Sequence, residues 1–238
     1  MSLEFVEVFG IPASGKTMLV NRMDGNGLMS RESGLRNALT IRRLGVIRWF
    51  LNMCSLPGGS FDEVTAGLLE GGALVDRKVF QCVFNYLTEA SPMDREAVVA
   101  LRGIFRTARE YELLKAQYAN GKVLMDEGWV HRGLTVFGMR LSDEVPEEGL
   151  TRYVDSIPLP QYAVYVTCDA DTALARIRSR HLKARPWWDS WTQEEQKTAL
   201  VQAARCADRI AEHLERRGCR VFRSDGTVPA ELMKLLKG

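Results

Sequence analysis

An α/β fold with a five-stranded parallel sheet flanked by helices is the expectation for this chain, and three observations carry it. Five short apolar or β-branched runs alternate with stretches of helical periodicity. The first run, Leu3-Glu4-Phe5-Val6-Glu7-Val8-Phe9, stops at Gly10 and opens into a glycine-bounded loop, with helix-compatible residues from Lys16 onward. A third run, Lys122-Val123-Leu124-Met125, ends in two acids, Asp126 and Glu127.

Composition sets the outer limits. At 238 residues the chain is one large domain, or one domain with an inserted lobe. Its 46% hydrophobic content is enough for a sizeable core. With 32 basic against 30 acidic residues the net charge is +2, which argues against a broad surface for long nucleic acid. Cys54, Cys82, Cys168, Cys206 and Cys219 are scattered without C-x-x-C or metal-ligand spacing, so they read as reduced thiols acting as small hydrophobes. Residues 1–9 lack a secretory pattern, and no stretch approaches the ~18 apolar residues of a membrane span. A cytoplasmic protein without a membrane span is the expectation. The apolar segment Val46–Met53 is too short to cross a bilayer.

The loop carries the first chemical signal. Gly10-Ile11-Pro12-Ala13-Ser14-Gly15-Lys16-Thr17 reads G-x-x-x-x-G-K-T, the phosphate-binding loop or Walker A pattern. Two glycines let the backbone curl so that N–H groups around Pro12, Ala13 and Ser14 face phosphate oxygens. Lys16 reaches the β- and γ-phosphates, and Thr17 offers a hydroxyl to Mg²⁺. A helix starting near Lys16 aims its positive end at the same anions. Glu4 and Glu7 depart from the uniformly apolar run expected of a central strand.

Beyond the first helix, Asp24-Gly25-Asn26-Gly27 is a turn, and Leu28-Met29-Ser30 reads as a short second strand leading to Arg31 and Glu32. Residues 35–119 read as a helical lobe. Leu35–Met53 is its first helix, with Arg36, Arg42, Arg43 and Arg48 best explained as a solvated face. Phe61–Glu70, Leu74–Glu89 and Pro92–Ala119 follow, the last opened by Ser91. Gly121 closes the lobe. The strand at 122–125 is expected beside the first, which sets Asp126 near Thr17 as a Mg²⁺ ligand and leaves Glu127 as a candidate general base. The two acids can exchange these roles. Arg132 is a candidate contact for an anionic substrate, whereas His131 reads as a packing or surface residue.

Residues 142–160 are a connection with one short helix. Tyr162–Cys168 is the fourth strand, and a helix follows with Asp171 or Thr172 as its N-cap. Arg176 and Arg180 share a face of that helix, with Arg178 and Arg185 nearby. Trp187, Trp188 and Trp191 read as packing residues before stacking ones. Thr192–Arg217 is a long amphipathic helix with a Thr192/Glu195 capping box, ended by Gly218. Cys219–Arg223 is the fifth strand, Ser224-Asp225-Gly226-Thr227 a turn, and Val228–Lys237 the last helix.

A strand, an acidic turn, and then Ala173-Leu174-Ala175-Arg176-Ile177-Arg178-Ser179-Arg180 resembles the arginine-bearing lid of kinases of the thymidylate kinase and deoxynucleoside kinase group. The resemblance covers residues 3–23 and 121–237 and hardly touches 35–119. Arg31-Glu32-Ser33-Gly34 is similar to the Arg-Glu-Pro-Gly segment of thymidylate kinases, which implies that Arg31 and Glu32 face substrate. The resemblance implies a three-layer P-loop NTPase fold forming one kinase domain over 1–238. Its core would be 1–34 and 120–238, its substrate lobe 35–119 and its lid 176–191. Arg176 would lie against adenine or phosphates, Arg180 and Arg185 would neutralise the transferred group, and Asp225 would lie beside adenine. ATP and Mg²⁺ are the implied cofactors, and the family often forms homodimers through lobe helices.

The implied reaction moves the γ-phosphoryl group of ATP to a small acceptor, with a nucleoside or nucleoside monophosphate as the first expectation. Glu4-Phe5-Val6 before G-x-P-x-S-G-K-T is also similar to thymidylate-kinase-like proteins of surface glycans, so a sugar or glycan hydroxyl stays open. A polynucleotide 5′ end fits the near-neutral charge less well. A GTPase would need N-K-x-D after a strand, and a transport ATPase L-S-G-G-Q. Neither is present. A sulfotransferase suits the complete G-K-T less well, and a non-catalytic nucleotide-binding regulator remains open.

Overall fold

β1 (Leu3–Phe9) lies at the centre of a five-stranded sheet in which every pairing is parallel. β3 (Gly121–Met125) and then β2 (Met29–Ser30) extend it on one side; β4 (Tyr162–Val166) and β5 (Arg220–Ser224) extend it on the other. The computed structural model describes residues 3–24, 28–35, 76–90, 95–138, 141, 144–179 and 186–237. The expected helix over 61–70, most of that over 35–53, Cys54, Arg180 and Arg185 lie outside the described residues.

The sheet is buried on both faces, as parallel sheets are, and alternate residues of each strand feed separate cores. Val6 and Val8 join Leu124, Val164 and Phe222 against Leu19 and Met23 of α1 (Lys16–Met23) and Leu232 of α9 (Ala230–Lys237). Phe5 and Phe9 face the opposite way, into a larger core. That core takes in α2 (Arg77–Ala90), α3 (Arg95–Gln117), α4 (Trp129–Phe137), α5 (Glu147–Ser156), α6 (Ala170–Ser179) and α8 (Gln193–Arg216). Helices therefore cover both sheet faces. The Phe5 ring stacks on Tyr111 of α3 at 4.2 Å, so this helix packs on the central strand itself.

Most elements follow their sequence signals. β1, α1 and the start of α8 fall where expected, and Thr192 and Glu195 make both bonds of the capping box. The connection over 142–160 holds one helix, α5. The helix over 129–137, α4, is a difference from the sequence reading, as is the five-residue α7 (Pro186–Ser190). The cap of α6 is a correction: Asp169, not Asp171 or Thr172, accepts the N–H of Thr172 at 2.7 Å. Among the described residues Cys82, Cys168, Cys206 and Cys219 are free thiols, and no helix is long and apolar enough to cross a membrane.

Strand order positions a crevice. After β1 the chain leaves toward β2, whereas after β4 it leaves toward β5 on the opposite side. The two successors diverge, so the carboxyl edge between β1 and β4 is a topological switch point, where ligands of open α/β sheets bind. The loop after β1 and the start of α6 both lie at this edge.

Candidate functional site

The loop over 10–15 is shaped by backbone geometry. Gly10 has φ +148°, and a Cβ there would come within 2.4 Å of the Val166 carbonyl at the end of β4. Glycine alone lets the chain leave β1 so close to β4. Ala13 holds φ +58° and is the only non-glycine with positive φ among the described residues, local strain of the kind that collects at binding loops. Ser14 is 1% exposed, and its Oγ has no hydrogen-bond partner among the described residues. A buried hydroxyl left without a partner is the feature expected of a loop shaped for a polar guest.

Lys16 opens α1 and turns back over this loop, donating from Nζ to the carbonyls of Gly10 and Ile11 at 2.8 Å each. Burial pulls its ammonium down to about 8, against the attraction of Glu127 and Asp126, which raises it. Thr17 is exposed on the next position of the helix. Arg176 reaches the loop from α6: its Nη1 donates to the carbonyls of Ala13 (3.3 Å) and Ser14 (3.2 Å). Lys16, Thr17 and Arg176 thus gather at the switch point.

Beyond β3 the chemistry changes from backbone to paired side chains. β3 pairs with β1 as expected, and Asp126 and Glu127 follow its last residue. Arg31, in the helical turn over 31–35, is 7% exposed and lies among three acids. Its Nη1 is 3.5 Å from Glu110 and 3.3 Å from Glu127, and its Nε is 3.3 Å from Asp126 Oδ1. Arg132 of α4 donates from Nη2 to Glu127 at 3.0 Å and from Nε to Thr107 at 2.9 Å. Arg106 of α3 completes the cluster, donating to Glu110 at 2.9 Å and lying 3.9 Å from Glu127. Three guanidiniums therefore face three carboxylates. Burial would raise the Glu127 carboxyl, but Arg132, Arg31, His131 and Arg106 outweigh it and hold the group at about 2. Burial would also lower Arg31, yet Glu110, Asp126 and Glu127 carry it above its ordinary value.

The turn bearing these acids is fastened from an unexpected place. Glu7, 1% exposed on β1, accepts the N–H of Trp129 at 3.1 Å and of Val130 at 2.7 Å, the first two residues of α4. Its Oε1 also accepts the Tyr111 hydroxyl at 2.5 Å. Gly128 has no room for a side chain, since a Cβ would stand 2.3 Å from the Glu7 carboxylate. Burial pushes Glu7 up to about 7, although Tyr111, Val130, Trp129 and Arg132 all favour its charged form.

The remaining expectations divide. Arg31 and Arg132 meet at Glu127, while Glu32 is exposed. Asp225 is exposed in its turn and accepts the Thr227 N–H at 3.1 Å; the same turn is tied to α1 by Arg22 donating to Gly226. Trp188 is 6% exposed and packs with Trp191 at 5.9 Å, which supports packing over substrate stacking for these two. Glu7, Arg106, Glu110 and Tyr111 were not among the predicted site residues. Only the acid within an apolar strand, and the i,i+4 spacing of Arg106 and Glu110, hinted at them. Among the described residues no group of three or more His, Cys, Asp and Glu gathers as a metal site. No protein-family model matches the chain, and no curated protein matches it closely enough to name a relative.

Proposed function

We propose that the chain is an ATP- and Mg²⁺-dependent phosphotransferase of the P-loop kinase kind, moving the γ-phosphoryl group to a small acceptor. One observation carries the reading. A glycine-bounded loop, Lys16 at the head of a helix, an acid pair after the neighbouring strand and Arg176 converge on one edge of a parallel sheet. Phosphoryl transfer needs positioning and charge stabilisation more than covalent chemistry, and this edge offers both.

The residues fit the two cofactors. Thr17 and Asp126 are hard oxygen donors, few in number, which suits Mg²⁺ because that ion keeps several waters. The unpartnered Ser14 hydroxyl and the donors of the loop suit a polyphosphate. Bound Mg²⁺-ATP supplies the electrophilic phosphorus. Lys16 would exchange the carbonyls of Gly10 and Ile11 for phosphate oxygens, and Arg176 would steady the loop or turn onto the same anion. With Asp126 given to the metal, Glu127 is left for the acceptor's hydroxyl. Held at about 2 among its arginines it is a weak base, so it would orient that hydroxyl by accepting its hydrogen bond before any proton moves.

A nucleoside or nucleoside monophosphate remains the proposed acceptor class. The cluster bears on the choice: an acceptor phosphate would compete with Glu110 and Glu127 for Arg31, Arg106 and Arg132. That favours a neutral hydroxyl, on a nucleoside or a sugar, over a monophosphate. A coupled ADP-release screen across nucleosides, nucleoside monophosphates and sugars is the test. Release stimulated by one class supports the reading; release at background with every acceptor removes it.

A further inference from the structure

We propose that Glu7 is a positioning residue for the acid turn: from the central strand its carboxylate holds the N-terminus of α4 and so fixes Asp126 and Glu127, and Tyr111 ties that hold to α3. The inference deepens the kinase reading and rests on it only for the consequence at the reacting atoms.

The geometry is that of a helix cap delivered from another strand. The residue before α4 is Gly128, which has no side chain to cap the helix. Two of the N–H groups that need a partner, those of Trp129 and Val130, point at Glu7 instead. An anion at a helix N-terminus is favoured by both the unpaired donors and the helix dipole. Gly128 is wedged against the same carboxylate, so the turn over 126–128 is gripped immediately after the two acids. From the other side, Tyr111 donates to Glu7 and stacks on Phe5, joining α3 to the strand and the turn at one point. α3 also carries Arg106, Thr107 and Glu110, which reach the acid cluster directly.

Tyr111, Trp129 and Val130 all donate to Glu7, so its ionised form, which only accepts, serves them best. A proton on Oε1 would meet the two donors already aimed there, and one on Oε2 would weaken the acceptor of the Val130 N–H. The titratable and charged groups that face Glu7 are Tyr111 from α3, Arg132 from α4, Tyr153 from α5 and Cys219 beside β5. Tyr153 braces the same turn, donating its hydroxyl to the Trp129 carbonyl at 2.7 Å. Burial places the Glu7 transition near 7, where it can be followed in the native protein.

The experiment is amide hydrogen exchange of the segment over 126–134, corrected for the intrinsic effect of pH, in the full chain and in Glu7→Gln and Tyr111→Phe. When the start of α4 opens, Glu7 stays buried on β1 but loses these donors, so it binds its proton more tightly in the opened form. In the parent, protection of Trp129 and Val130 should therefore fall roughly tenfold or more as pH drops toward about 7, the opposite sense to global unfolding, which exposes Glu7 to water. Tyr111→Phe removes a donor that lowers the Glu7 transition, so its midpoint should move to higher pH. Glu7→Gln should abolish the transition and leave the segment weakly protected throughout. If Glu7→Gln does not fold, the midpoint shift in Tyr111→Phe decides alone. Protection that ignores pH, or a midpoint unmoved in Tyr111→Phe, overturns the inference whatever the enzyme does. Turnover is read in parallel. An acid limb that follows the exchange midpoint supports positioning of the acids, and one that does not overturns it. A clear exchange transition with no turnover on any acceptor sinks the kinase reading and leaves the hold on the turn standing.

Discussion

The two sides of the carboxyl edge are built from different material. Beside β4 the loop over 10–15 is held by main-chain geometry, and Lys16 and Arg176 both bond to backbone carbonyls. Beside β3 the acid turn is held by side chains from β1, α3, α4 and the turn after β2, paired with one another and mostly buried. The loop side should therefore tolerate many side-chain changes as long as Gly10 stays small. The acid side should be sensitive to single substitutions, because removing one partner strands a buried charge.

Lys16→Ala should separate the sides most sharply. Turnover should fall about 10³-fold or more through lost charge stabilisation, while the thermal midpoint stays near that of the parent. Loss of activity with loss of folding would instead place Lys16 in the scaffold. Glu110→Ala attacks the other side. Both Glu110 and Arg31 are under a tenth exposed, so urea unfolding should show a loss of about 3 kcal/mol that added salt barely changes. A loss confined to low salt would mark the cluster as a surface network.

The pH dependence of Glu7→Gln tests the same side more gently. A buried carboxyl raised from 4.5 to about 7 contributes stability that is complete below 4.5 and is lost as pH rises through 7. Relative to Glu7→Gln, the parent should lose ~3 kcal/mol between those limits, at about 1.4 kcal/mol per pH unit. A flat difference would show that Glu7 titrates normally. Arg176→Ala returns to the loop side with the smallest stability effect. Arg176 is exposed, so unfolding should change by no more than about 0.5 kcal/mol, while ADP release slows.

The same division governs what the sequence revealed. The loop, β1, the acids after β3 and the capping box of α8 are local patterns, each complete within a few residues. The hold on the acid turn is not. Glu7 lies 104 residues from Tyr111 and 122 from Trp129, so an acid in an apolar strand looked like a defect until its partners were in place. α4 escaped for the same reason: its capping group sits on another strand, and Gly128 carries no cap signal of its own. Arg31 and Arg132 were legible as candidates, but that they meet at Glu127 follows from the pairing of β2 with β3, which sets the turn after β2 beside the acid turn ahead of α4.

Transfer of labelled γ-phosphoryl from ATP to an acceptor, followed side by side in the parent and in Lys16→Ala, tests the proposed function most directly. Label is expected on the acceptor with the parent and absent with the variant, both chains being folded. Label recovered only as inorganic phosphate, or transfer that survives in Lys16→Ala, would contradict phosphoryl transfer at this edge.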